Sequence, residues 1–227
     1  MTTDNEHDFG SGRHRYHRPP GGEGPDHARG AGPTLRRTGG ARRLVLLSGR
    51  GEEQAQRAEQ VLMESGAIWT VVRSAFFAQN FSETYFVDSI RSGVLALPVG
   101  DVEEPFIDAD DVADVVVAAL TEHGHEGQLY EVTGPALLSF ADAVAQIAKA
   151  AGRQLSYQQI SVHQFVSALA AEGVPDDLVA VLTEVFTTVL DGRNAYVTNG
   201  AHRALGRQPR DFADFARSAA TTGAWTA

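Results

Sequence analysis

The chain has 227 residues, 43% of them apolar and 21% charged, enough for one large domain or two small ones around a packed core. It contains no cysteine, which excludes disulfides, thiolate metal sites and thiol nucleophiles, and no apolar run approaches the ~20 residues that span a bilayer. The net charge of −10 splits between residues 1–43, with eight Arg against five Asp/Glu, and a remainder with eleven Lys/Arg against twenty-four Asp/Glu; so acidic a body disfavours direct nucleic-acid binding.

Residues 1–40 are rich in Gly, Pro, Arg and His and carry no helical or strand period, so they read as a disordered tail. They hold no apolar signal core, which leaves the cytoplasm as the expected compartment. His7, His14, His17 and His27 match no metal-site spacing and read as solvated tail residues.

"RRLVLLS" (42–48) is a short continuous apolar run, the pattern of a strand covered on both faces. "GEEQAQRAEQVLMESG" follows as a helix, with acids in its first turn and Gly66 at its end. "AIWTVVRSAFF" is a second apolar strand, completing a β-α-β unit whose strands run parallel. "AQNFSETYFVDSIRSG" reads as one helix closed by Gly93, and "VLALP" as a strand. "PFI" reads as strand-like and leads into a helix from about Asp111, with Asp110 as the N-cap candidate. "GQLYEVTGP" is a strand. "SFADAVAQIAKAAG" is a helix with a capping box at Ser139 and Asp142 and a stop at Gly152. "QLSYQQIS" alternates as a half-exposed strand. The remainder is helical: "SVHQFVSALAAEG", "PDDLVAVLTEVFTTVLDG" and, interrupted by Pro209, "AHRALGRQPRDFADFARSAA". Strand–helix alternation followed by a helical end gives an α/β fold with a C-terminal helical lobe.

Strand, glycines and helix at residues 43–54 are the start of a dinucleotide fingerprint, but the chemistry does not follow. The run Gly49-Arg50-Gly51-Glu52-Glu53-Gln54 lacks the third glycine. Glu52 and Glu53 stand at the helix N-terminus, where a pyrophosphate would need to sit, and would repel it. Asp108, Asp110, Asp111 and Asp114 suggest a cation loop, but a strand-to-helix junction accounts for them, and no metal is expected.

"RRLVLLSGRGEEQAQRAEQVLMESGAIWTVVRSAFFAQNFSE", with "PFIDADDVADVVVAALTE", "GQLYEVTGP" and "LDGRNAYV", resembles the NmrA-like proteins, atypical short-chain dehydrogenase/reductases, in particular the group related to ergot-alkaloid reductases. The resemblance covers about residues 41–226 and makes "RRLVLLS" a mid-fold strand. It implies a Rossmann-like parallel sheet that here lacks its first strands and glycine-rich loop, as in an N-terminally truncated chain. The domain would occupy 41–227, with a substrate lobe from about 133. The function implied is an NAD(P)H-dependent reductase of small aromatic or quinone-like substrates. The alternatives are a non-catalytic NAD(P) sensor acting through a protein partner, or an inactive remnant.

The resemblance places Ser48 where such enzymes carry a catalytic hydroxyl; capping of the strand end is the other reading. The partner Tyr-x-x-x-Lys is missing, since Ala145 precedes Lys149, the only lysine, by four. Ser48, Arg73 and Phe76 are the cofactor-binding candidates, and Arg73 could equally pair with a local acid. Phe77, Asn80 and Phe81 are the substrate-pocket candidates, lying just beyond a strand's C-terminal end, where open α/β sheets bind ligands. Phe76, Phe77 and Phe81 could equally pack in the core. A strand 43–48 without its preceding neighbours is a hydrophobic edge, and homo-oligomerisation or aggregation through it is expected.

Overall fold

A computed structural model describes residues 43–84 and 86–226; the expectations for the tail and its histidines lie outside this range. The chain enters on β1 (Arg43–Gly49), turns through Arg50–Glu52 into α1 (Glu53–Glu64) and returns on β2 (Ile68–Ser74). A 3-10 turn (Ala78–Phe81), α2 (Val87–Ser92), β3 (Val94–Leu97) and the two-residue β4 (Glu103–Glu104) precede α3 (Ala109–Thr121). Next come β5 (Gln128–Val132), β6 (Leu138–Ser139), α4 (Phe140–Ala151) and β7 (Ser156–Gln159). The last stretch is α5 (Val162–Ala171), α6 (Asp176–Glu184) with a π turn (Val185–Val189), α7 (Gly200–Leu205) and α8 (Phe212–Thr221).

The parallel sheet has the order β1-β2-β5, and its register aligns Ser48 with Arg73 and Arg73 with Glu131. Side chains alternate across a sheet, so these three stand in one row on one face. α1 packs against β1 and β2, and α3 packs against the same strands. Two smaller pairings complete the strands: β3 with β7, parallel, and β4 with β6, antiparallel. Among the described residues β1 pairs only with β2, so its other edge carries no strand, and Leu47 on it is 50% exposed.

Two apolar clusters hold these elements. The smaller packs Val72, Tyr130 and Val132 of the sheet against Val112 and Val115 of α3 and Ala201 of α7. The larger is aromatic. Phe81, Phe106, Phe140 and Phe212 meet edge-on or tilted, with centroids 5.1–5.9 Å apart. Such rings gain from edge-to-face geometry beyond their buried area. α4 and α8 supply it because each buries one stripe at helical spacing: Phe140, Ala143, Val144 and Ile147, and Phe212, Phe215, Ala216 and Ala219.

Three local expectations need correction. Residues 78–93 do not form one helix. Phe81 and Phe86 are both buried in the aromatic cluster, 5.3 Å apart, whereas residues five apart on a helix face about 140° away from each other. The 3-10 turn ends at Phe81 and α2 begins only at Val87, and both rings are buried. The N-cap of α3 is Asp108, not Asp110: Asp108 has extended backbone, and its Oδ1 accepts the Asp110 N–H at 2.9 Å, so the helix starts at Ala109. "PFI" is not a strand, since Ile107 makes only an isolated bridge to Phe77. The capping box is present as expected, with Ser139 accepting from Asp142 N–H and Asp142 accepting from Ser139 N–H, and Gly152 closes α4 with φ 63°.

Candidate active site

The C-terminal ends of β1, β2 and β5 form one rim. In open parallel sheets this rim is where ligands bind, because the loops leaving it splay apart. Here it carries a chain of charges. Ser48, at the end of β1, donates through Oγ to Glu59 Oε1 at 2.5 Å. Arg73, at the end of β2, grips the same carboxylate with two nitrogens, Nε at 2.9 Å. Its third nitrogen lies 3.7 Å from Glu131 Oε2 on β5. Glu59 reaches the row from α1 and is 3% exposed. Burial would raise its carboxyl, but the hydrogen bonds from Arg73 and Ser48 outweigh that and hold it below the ordinary carboxylate range. Those bonds in turn raise the Arg73 guanidinium.

Arg50, in the turn after β1, closes the other end of the row. It is 3% exposed, and its Nε donates to Glu131 Oε1 at 2.9 Å. Its remaining nitrogens donate to the carbonyls of Asn194 and Tyr196. The guanidinium lies 4.3 Å from the centre of the Tyr196 ring, and the Tyr196 hydroxyl donates to Glu131 Oε1 at 2.9 Å. Segment 190–197, quoted above for its resemblance, is thereby held to the rim through Asn194 and Tyr196.

The turn between β1 and α1 is filled by its own side chains. A Cβ on Gly49 would fall 2.0 Å from Glu52 Oε1, so the Glu52 carboxylate lies over the glycine. Gly51 has φ +73° and abuts Asn194. Desolvation and the neighbouring Glu184 raise the Glu52 carboxyl. Among the described residues this turn is no seat for a phosphate.

The expected site residues divide. Ser48 and Arg73 meet on Glu59. Phe76, two residues beyond β2, joins the larger cluster instead, with its ring against Phe86, Phe106 and Phe140 and its N–H directed to Glu104. Phe77 packs on the smaller cluster. Asn80 is half-buried and accepts from Thr84 Oγ1 at 3.1 Å. Phe81 is 0% exposed inside the larger cluster, and its carbonyl accepts the Trp225 indole N–H at 2.7 Å. Asp108 also accepts from Gln79, while Asp111 holds Arg207 and Arg210.

Arg50, Glu59, Glu104, Glu131 and Tyr196 were not singled out from sequence. Only the strand register puts Glu131 beside Arg73. Glu104 is 2% exposed; its Oε1 accepts the Phe76 N–H at 3.4 Å, and Oε2 has no hydrogen-bond partner among the described residues. Burial pushes its carboxyl up to about 7, against the pull of the Phe76 N–H and the Arg50 charge.

Comparison with known proteins follows the same outline. The model of the NmrA-like family matches residues 54–216. The chain is 35% identical over 202 residues to the NAD(P)H azoreductase of Xenophilus azovorans, covering 84% of this chain and 70% of that protein. To the festuclavine dehydrogenase of Aspergillus fumigatus it is 29% identical over 188 residues, covering 79% and 65%. The solved NADPH-dependent quinone oxidoreductase of Escherichia coli, in complex with NADPH, shares the fold with TM-score 0.69 at 22% identity, covering 78% of this chain and 65% of that one. The chain spans 56–70% of the length of the first curated relatives it matches.

Proposed function

This chain belongs to the NmrA-like family, and we propose that it is a reductase, passing electrons from a reduced nicotinamide dinucleotide to small flat acceptors of the quinone or azo type. The similarity to an azoreductase at 35% identity is the observation that carries this reading. The rim supports it. Ser48 and Arg73 meet on Glu59 at the ends of β1 and β2, and Phe76 follows β2 by two residues, so these strand ends are where a flat ring would bind. Bound there, a reduced nicotinamide supplies the hydride.

The described residues suit the ring end of such a cofactor. They do not suit its phosphates at the glycine turn after β1, because Glu52 and Asn194 fill it. Ser48, Arg73 and Phe76 are the residues we assign to the ring end. Phe77 and Asn80 would border the acceptor, and Phe81 would back it from within the aromatic cluster.

Titration with NADPH and NADH, followed by nicotinamide fluorescence, tests the assignment. Saturable binding that weakens in Phe76→Ala supports it. Absence of binding to either nucleotide contradicts it. Binding with no turnover of quinones or azo dyes would point instead to a non-catalytic dinucleotide sensor.

A further inference from the structure

The hydrogen bonds of β1 show which of its backbone groups are left over. The Arg50 N–H donates to the Ser74 carbonyl at 3.1 Å, so the even-numbered residues of β1 turn their N–H and C=O groups towards β2. Arg43, Val45, Leu47 and Gly49 turn theirs to the opposite edge, where no strand pairs among the described residues. The far edge of the sheet is covered. Thr198 donates through Oγ1 to the Glu131 carbonyl of β5, and a Cβ on Gly200 would fall 2.0 Å from that carbonyl oxygen. Unmet backbone groups on a strand are a template for another strand.

A second copy of this chain meets that edge along the whole of β1 in one register. Set antiparallel about a two-fold axis at Leu46, the strands place Arg43 opposite Gly49, Val45 opposite Leu47 and Leu46 opposite itself. The residues with unmet N–H and C=O groups then face one another, as an antiparallel ladder requires. Directly opposed side chains share a face, so Val45 of the second copy covers Leu47, which is 50% exposed. Charge agrees with this register. The Glu52 carboxylate lies where a Gly49 Cβ would, hence on the face of Arg43, Val45 and Leu47. It is raised by burial and by Glu184, and it forms no ion pair among the described residues. Arg43 of the second copy comes to stand opposite Gly49, and so beside Glu52. In its own chain Arg43 holds the Glu122 carbonyl and Glu126 through its two terminal nitrogens, which leaves Nε, the nitrogen nearest the strand, for Glu52.

We propose that two copies of this chain join their β1 strands antiparallel about Leu46 into one continuous sheet, β5-β2-β1-β1-β2-β5, with Arg43 of each copy beside Glu52 of the other. The interface is independent of the reductase reading.

The chain has no cysteine, so single cysteines in the full chain report the register. Leu46→Cys puts two thiols on a non-hydrogen-bonded pair with Cα atoms about 4.5 Å apart, within disulfide reach. In Leu44→Cys the two positions lie about 14 Å apart, twice the ~7 Å limit. The expected results are a mass of two chains for wild type at micromolar concentration, a disulfide-linked dimer in air-oxidised Leu46→Cys and none in Leu44→Cys. By sedimentation, Glu52→Lys weakens dimerisation about tenfold, and adding Arg43→Glu to it recovers most of the loss. A monomeric wild type, as when residues 1–42 fill the edge instead, would overturn the proposal. So would cross-linking of Leu44→Cys as readily as Leu46→Cys, or a dimer that Glu52→Lys leaves unchanged.

Discussion

Glu59 and Glu104 are both buried carboxyls within reach of the same rim, and their surroundings drive them apart. Glu59 meets two arginine nitrogens and a hydroxyl, and its charged form wins over burial. Glu104 meets one backbone N–H, and burial wins. The linkage signs are therefore opposite. A depressed carboxyl gives stability that is lost as pH falls, whereas Glu104 is raised, so its contribution is full below the unfolded value of 4.5 and is lost as pH rises through about 7. Across that window the loss amounts to about 3 kcal/mol. Urea unfolding of wild type and Glu104→Gln from pH 4 to 8 will show the two diverge, with the variant gaining relative stability as pH rises. Parallel profiles would mean that Glu104 does not titrate in the folded protein.

The elements rest on signals of very different reach. Ser139 and Asp142 cap α4 within one turn, and Ser139→Ala is expected to cost about 1 kcal/mol, read as a lower urea midpoint at unchanged slope. This cap, the stripes of α4 and α8 and the β-α-β start were legible in the sequence because each is a local pattern. The break after Phe81 was not, since it arises from two phenylalanines that must both reach one cluster. Asp108 and Asp110 were both chemically able to cap α3, and the choice follows from Asp108 being the residue with extended backbone just before the helix. The candidate site was half legible. Ser48 and Arg73, which meet on Glu59, stand at strand ends that are visible in sequence. Glu131, Arg50 and Tyr196 could not be found, because their neighbours come from strand register and from segment 190–197, held to the rim.

At the scale of the molecule, β1 is the feature with consequences beyond the chain. Leu44, Val45 and Leu46 are half-buried, Leu47 is exposed, and one edge of its backbone carries no strand among the described residues. Unpaired apolar edges recruit other strands. We expect dimers or larger species in light scattering at micromolar concentration, reduced by Leu47→Lys, which puts a charge on the half-exposed position of that edge. A sharp monomer peak for wild type would contradict this. The rim is the other such feature: we expect it to accept a reduced nicotinamide and pass its electrons on. Loss of NADPH absorbance on adding 1,4-naphthoquinone measures that most directly. The account predicts quinone-dependent oxidation that falls at least tenfold in Phe76→Ala. A wild-type rate equal to the protein-free background would contradict it.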